Sequence, residues 1–473
     1  MKNLIILLGK HIAGNVRFRF FHKQNSLIKT TCYGVISTLI IPLYSCVYAA
    51  DYDFSQDYKF WYNLAYNTAK NELAKSEVAT EPEYVWSFDD GDKVFLSAKL
   101  LADLGGTLEV GDPYQGEPSS PSDRISIAGS NNLQFELREF YYQTYIADNL
   151  LVFGKQQIAW GQADGVIVLD IINPIRYREF ILDDLEDARI PLWSAKYEMQ
   201  FDNFDLQLVW VFDQTYSDFP NDDSEFSITS RAYRPTYLEP SPANFDVKPL
   251  DKPSKIISDS ELGFQISREF SGWDLSFNYF YHYADNPVFP RYIDYENEIA
   301  LVTVAETYKR TSTIGMSTSV SLDDYVLRSE WAYSTDRYVI DYAVDDYDGL
   351  LNTDELNYVV GLDYYGFSAS LVSVQFYQSR LGEHKDTLSR DKNNTTLTMI
   401  IRNDFFNETF STEGQWLYNT NDNDSLVRLS LFYKFNDFTS IKFGADMFGG
   451  AQNGLFGQFK ESDQVYFEYI ANF

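Results

Sequence analysis

The last nine residues of the chain alternate without a break. Val465, Phe467, Tyr469, Ala471 and Phe473 fall on one face of an extended strand, with Tyr466, Glu468, Ile470 and Asn472 on the other. In lipid a strand cannot leave its backbone edge open, and pairing the last strand with the first removes every edge. Tyr469 and Phe473 are therefore the expected closing residues of a transmembrane barrel. The competing reading is an ordinary edge strand that ends in Phe.

The rest of the chain carries the same signal. Trp273, Leu275, Phe277, Tyr279 and Tyr281 alternate with Asp274, Ser276, Asn278 and His282, and Val427 to Phe435 behave alike. After the first fifty residues no apolar run reaches the 18 or so residues of a membrane helix, so any spanning is done by strands. Aromatics make up 17% of the chain, 36 Tyr and 36 Phe among them. Scattered from end to end, they suit two interfacial girdles better than one compact core. Tight connections fall at 89–92, 147–149, 202–204, 271–272, 323–324, 365–366, 407–408 and 436–438. Long polar ones fall at 105–131, 162–191, 215–258, 284–299, 337–354, 381–392 and 451–463. This inequality predicts an all-β fold, an antiparallel barrel of about 18 strands with 16 as the next choice, with both chain ends on the short-turn side. Six prolines between Pro220 and Pro253 predict that 215–258 is an irregular excursion.

The first fifty residues are different. Lys2, Lys10, Arg17, Arg19, Lys23 and Lys29 stand there without a single acid, and 32–48 are almost wholly apolar before Val47-Tyr48-Ala49. This reads as a secretory signal over 1–49 with a long basic leader, followed by a barrel over 50–473. Both cysteines, Cys32 and Cys46, lie inside the signal, so the mature chain has no disulfide and no cysteine chemistry. Without the six leader cations, 32 of the 38 Lys and Arg face 69 acids, a formal charge of about −37. So acidic an exported chain is a poor binder of nucleic acid. Its acidic loops suit solvation at a surface, or divalent cations that bridge lipopolysaccharide phosphates.

One segment is distinctive. Gly154-Lys155-Gln156, then Trp160-Gly161, then Asn173-Pro174, resembles a proteobacterial family of porin-like outer-membrane proteins. That family carries Gly-(Lys/Arg)-Gln-x-x-x-Trp-Gly followed by an Asn-Pro segment. The specific likeness covers about 45 residues; it implies an outer-membrane barrel working beside an inner-membrane exporter of lipids or hydrophobes, and it supplies no catalytic residue. Physically, Gly154 in a strand predicts close approach of a neighbouring strand, and Trp160 at a strand end predicts an indole in the outer girdle.

The residues after Gly161 are too apolar for water (Val166, Ile167, Val168, Leu169, Ile171, Ile172). They are expected to fold into the lumen as a constriction, with Arg176, Arg178 and Arg189 facing Asp183, Asp184, Glu186 and Asp187. The competing reading is a short helix over 177–188 packed on the rim. His282 with Asp285 three residues on is the best catalytic pair, and a strand His facing a wet lumen is the commoner situation. No metal spacing, phosphate loop or cofactor motif is present. The sequence thus points to an outer-membrane channel for a small solute, with lipid and lipopolysaccharide around it and no enzymatic activity. The alternatives are an exit port for hydrophobic molecules and a structural or adhesive surface barrel.

Overall fold

The computed structural model describes residues 52–89, 91–108, 122, 124–127, 130–161, 165–234, 243–248, 250–296, 299–343 and 348–473. The expected signal over 1–49 lies outside the described residues. In chain order the strands begin with β1 (Tyr52–Asn67), β2 (Glu72–Phe88), β3 (Lys93–Asp103), β4 (Ile125–Ile127), β5 (Ser130–Ile146) and β6 (Asn149–Gln156). Then come β7 (Leu192–Phe201), β8 (Phe204–Val211), β9 (Ala243–Val247), β10 (Glu261–Phe270), β11 (Trp273–Tyr283), β12 (Arg291–Glu296) and β13 (Ile299–Val304). They continue as β14 (Arg310–Leu322), β15 (Tyr325–Ile340), β16 (Leu350–Tyr364), β17 (Ser370–Leu381) and β18 (Asn393–Phe405). The last are β19 (Phe410–Asn419), β20 (Asp424–Asn436), β21 (Thr439–Gly449) and β22 (Gln464–Asn472).

Nineteen strands form one sheet; without the three-residue β4, eighteen make a closed antiparallel ring. Closure is the β1–β22 pairing, which runs from Lys59↔Asn472 through Tyr62↔Tyr469 to Asn67↔Gln464. Phe473 extends it, its N–H donating to the Tyr58 carbonyl at 3.0 Å and its carbonyl accepting from Tyr58 N–H at 3.1 Å. The eighteen-stranded ring is thereby closed, with no open edge in it among the described residues.

Alternation decides which face meets lipid. Phe277 pairs with Met316 and Leu431 with Phe443 on the outside, all exposed. On the inside Ser276 faces Ser317, their hydroxyls 2.6 Å apart, and Arg428 faces Asp446 at 3.1 Å. Apolar-out and polar-in is the arrangement of outer-membrane barrels. Outward Trp331, Tyr333, Trp416 and Tyr418 lie toward the long-loop end, and Tyr325, Tyr364, Tyr433 and Phe435 toward the short-turn end. At that second end Ser271 (φ 50°) and Gly272 (φ 81°) make the two-residue turn that twisted hairpins prefer.

Three expectations about connections need correction. The 215–258 segment is not merely irregular: its β9 pairs in parallel with β13, which pairs with β12, so two long loops build a separate three-stranded sheet. The 337–354 loop shrinks to 341–349, because β15 continues to Ile340 across a bulge after Ser334. Two connections at the long-loop end, 68–71 and 420–423, are short, so the inequality is not uniform around the rim.

A lumen-filling loop as candidate functional site

The chain leaves the barrel wall after Gln156 and rejoins it at Leu192. Gly154 sets up the exit. At φ 139° it adopts a conformation closed to other residues, and a Cβ there would strike the Phe140 carbonyl and Tyr141 of the adjacent strand. Lys155 turns inward, buried, and donates to the Leu137 carbonyl at 2.6 Å. Gln156 reaches the carbonyls of Val152 and Ser194 at 3.3 and 3.4 Å. Asn173 ties the base of the loop together: its Oδ1 accepts from Ile158 N–H and its Nδ2 donates to the Ile190 carbonyl, both at 2.8 Å. The Pro174 carbonyl accepts from Ile190 N–H at 2.8 Å, just before the Ile175↔Arg189 bridge.

Trp160 does not join the outer girdle. It is 2% exposed, donates from Nε1 to Gln207 Oε1 at 2.7 Å, and meets Phe280 edge-on at 5.8 Å inside the barrel. The strand ends four residues too early for an interfacial indole, and a buried acceptor on β8 satisfies its N–H.

Two limbs of the loop then cross the lumen. In the first, Val168, Leu169 and Ile172 pack against inward side chains of β8, β11, β15 and β16, namely Val209, Val211, Phe280, Ala332 and Val359. The Glu330 carboxylate of β15 accepts from Val168 N–H at 2.9 Å and Leu169 N–H at 3.1 Å. Gln375 of β17 accepts from Val166 N–H at 3.2 Å. Gly161 (φ 96°) passes so close to Glu330 that a Cβ would meet its carboxylate at 2.7 Å. Gly315 in the wall leaves the space that Leu169 fills.

The second limb reaches the far wall. Phe180 and Leu182 pack among Phe226, Leu417, Leu426, Phe448 and Phe459, and Arg428 of β20 donates to the Leu182 carbonyl at 2.6 Å. The 177–188 helix shrinks to one turn, Leu185–Ala188. Around this limb the charges pair chiefly with the wall. Arg176 approaches Glu136 of β5 at 3.4 Å and Asp218 at 3.5 Å. Arg178 binds Glu77 of β2. Lys75 of β2 meets Glu179 at 2.5 Å, and Arg189 meets Asp170 at 2.7 Å. Asp187 lies 3.7 Å from Lys59 and 4.0 Å from Lys99.

The expected set of three arginines facing four acids is thus only partly assembled. Asp183 and Asp184 line the same cavity as Arg176 and Arg178, whereas Glu186 contributes its backbone carbonyl to Arg138 at 2.8 Å. Burial pushes the Glu179 carboxyl up, with Asp183 adding to the effect and Lys75 opposing it. At Asp183 burial is outweighed by Lys75 and Arg178, and the carboxyl lies below its ordinary value. The cavity between this limb and the wall, about 120 Å³, is lined by groups of both signs, including Lys59, Lys75, Lys99, Asp183, Asp184 and Glu468.

Sequence reasoning missed Glu330, Gln375, Arg428, Glu77 and Glu136. All lie at inward positions of strands; at Gln375, Arg428 and Glu136 the signal is a polar or charged residue flanked on both sides by outward apolar ones. The proposed His282–Asp285 pair is not formed: His282 Nδ1 lies 2.7 Å from the Tyr283 carbonyl and Nε2 3.1 Å from Thr313 Oγ1.

No curated protein matches the chain. Among solved structures it is similar to Acinetobacter baumannii OccAB3, with 10% identity, a TM-score of 0.49, and 89% of this chain and 99% of that chain covered. It is also similar to Pseudomonas aeruginosa OccK5 (OpdH), with 9% identity, a TM-score of 0.47, and 89% and 97% coverage. A family model described as "Protein of unknown function (DUF1302)" matches residues 45–453, and the chain belongs to that family.

Proposed function

We propose that the protein is an outer-membrane channel for a small solute, with the 157–191 loop as its constriction. The observation that supports this most is the loop's reach: it touches β8, β11, β15 and β16 on one side and β2, β5 and β20 on the other. The apolar outer belt and the sealed β1–β22 ladder support placement in the outer membrane, in contact with lipid and lipopolysaccharide. Arg176, Arg178, Asp183, Asp184 and Asp187 then act where the lumen is narrow. Water is scarce there, and the effective dielectric is lower than at the surface.

The cavity beside the loop and a second one at the long-loop end are lined mainly by polar and charged groups, which favours a polar solute over the hydrophobic cargo of an exit port. Replacing residues 166–186 with a short Gly/Ser linker tests the proposal in planar bilayers. Stepwise conductance that grows on deletion is expected, with heat-modifiable migration on gels showing that the barrel still folds. An equal conductance in a folded deletion barrel refutes the constriction. A folded wild-type barrel that passes no current favours a structural or adhesive role.

A further inference from the structure

A second cavity, about 420 Å³, opens at the long-loop end. It is lined by the loops that follow β8, β15, β17, β19 and β21, and by Asn394 at the start of β18. It differs from the constriction in one respect. In the constriction most charges are spent on one another, as in Lys75–Glu179 and Arg428–Asp446. In the second cavity the carboxylates of Asp386 and Asp422, the Tyr233 hydroxyl and the Arg231 guanidinium have no hydrogen-bond or ion-pair partner among the described residues. Arg231 rests on the Tyr342 ring at 4.7 Å, and Tyr233 is 46% exposed.

The inventory of free groups limits the ligand. Ionised carboxylates only accept hydrogen bonds and a guanidinium only donates them, whereas a hydroxyl does both. A compound with adjacent hydroxyls offers donors to Asp386 and Asp422 and acceptors to Arg231 from one small frame. Unpaired acids outnumber the unpaired cation, so a carboxylate ligand would be repelled. A polyamine would leave Arg231 facing like charge. An apolar ligand would bury these polar groups without partners, which is costly. The volume is at the low end of the roughly 300–1,000 Å³ range of small-molecule sites.

We propose that this cavity binds a neutral polyhydroxylated solute of about mono- to disaccharide size at the mouth of the barrel. The inference rests on the channel reading only for its place in transport; binding is read separately. The test uses the mature protein in detergent, titrated calorimetrically with sucrose, putrescine and benzoate. Bilayer current is recorded in parallel with sucrose on the long-loop side. Sucrose should bind and partly block the current, with putrescine and benzoate weaker. Asp422→Asn and the double change Tyr233→Phe/Asp386→Asn should each weaken sucrose binding about tenfold, as expected for losing hydrogen bonds to charged groups, with heat-modifiable migration intact. Sucrose binding that is absent, or equal in the variants, overturns the proposal, as does tighter binding of putrescine or benzoate. A conducting barrel that ignores sucrose removes this site and leaves the channel standing. A non-conducting barrel that binds sucrose through these residues upholds the site and removes the channel.

Discussion

Glu330→Ala removes the acceptor shared by Val168 and Leu169 N–H, and its cost can be set against everything else that seats the loop. Each buried N–H left without a partner costs about 1–3 kcal/mol, so the single change costs roughly 2–6 kcal/mol. Val168, Leu169 and Ile172 are each at least 92% buried, and side chains of this size contribute about 1.5–3 kcal/mol apiece, roughly 4.5–9 kcal/mol together. The apolar seat is therefore the larger effect, and the single variant should keep its constriction, with noisier current at nearly wild-type conductance. Adding Leu169→Ala costs about 2–5 kcal/mol more and opens a cavity beside Gly315. The double variant then loses an amount comparable to the whole apolar seat, and its conductance should rise toward that of the 166–186 deletion. Single-channel recording in planar bilayers reads both, with heat-modifiable migration as the folding control. A fully opened channel from Glu330→Ala alone would show that the apolar seat does not hold the loop. An unchanged conductance in the folded double variant would show that this limb does not narrow the pore.

Deleting Phe473 removes the Tyr58 hydrogen-bond pair at the seam and should lower the yield of heat-modifiable barrel; undiminished folding refutes a closing role. Burial pushes the Asp285 carboxyl from 3.8 up to about 8, against Arg337 and with help from Asp170. Between about pH 4 and pH 8 the folded chain then holds a proton that the unfolded chain gives up, so stability falls as pH rises through that window. Asp285→Asn should flatten the decline in barrel melting temperature from about pH 5 to about pH 9, and an unchanged slope would refute it. The mature chain isolated from outer membranes should begin near Ala49 or Ala50; an N-terminus that retains Lys2 to Lys29 would sink the export reading.

The strands were legible because their signal is local. Alternation with period 2 decides which side chain faces lipid without reference to any distant residue, and a closed ring is what lipid permits. The apolar run at 166–172 was legible for the same reason: a segment that greasy needs cover wherever it goes. Its partners were not. Arg176 and Arg178 look, in sequence, as though they should meet the acids of 183–187. In the barrel the wall offers acids at Glu136 and Glu77, 40 and 101 residues away in the chain, and those strands bring fixed geometry to the pairing.

Trp160 was misplaced because an indole near a strand end suits an interface equally well on composition. What decides against it is a socket made by other strands: Gln207 as acceptor, and Gly263, where a Cβ would come 3.0 Å from the ring. Gly263 and Gly315 occupy inward positions of lipid-spanning strands, where a glycine weakens the strand and lines no tight turn. Each faces a bulky side chain of the loop, Trp160 for one and Leu169 for the other. The position of the loop is thus encoded twice, once in its own apolar residues and once as missing side chains on the wall. An inward glycine opposite a greasy loop is a readable sign that the loop is seated rather than swinging, because a loop that left would expose an unfilled notch on each of two strands.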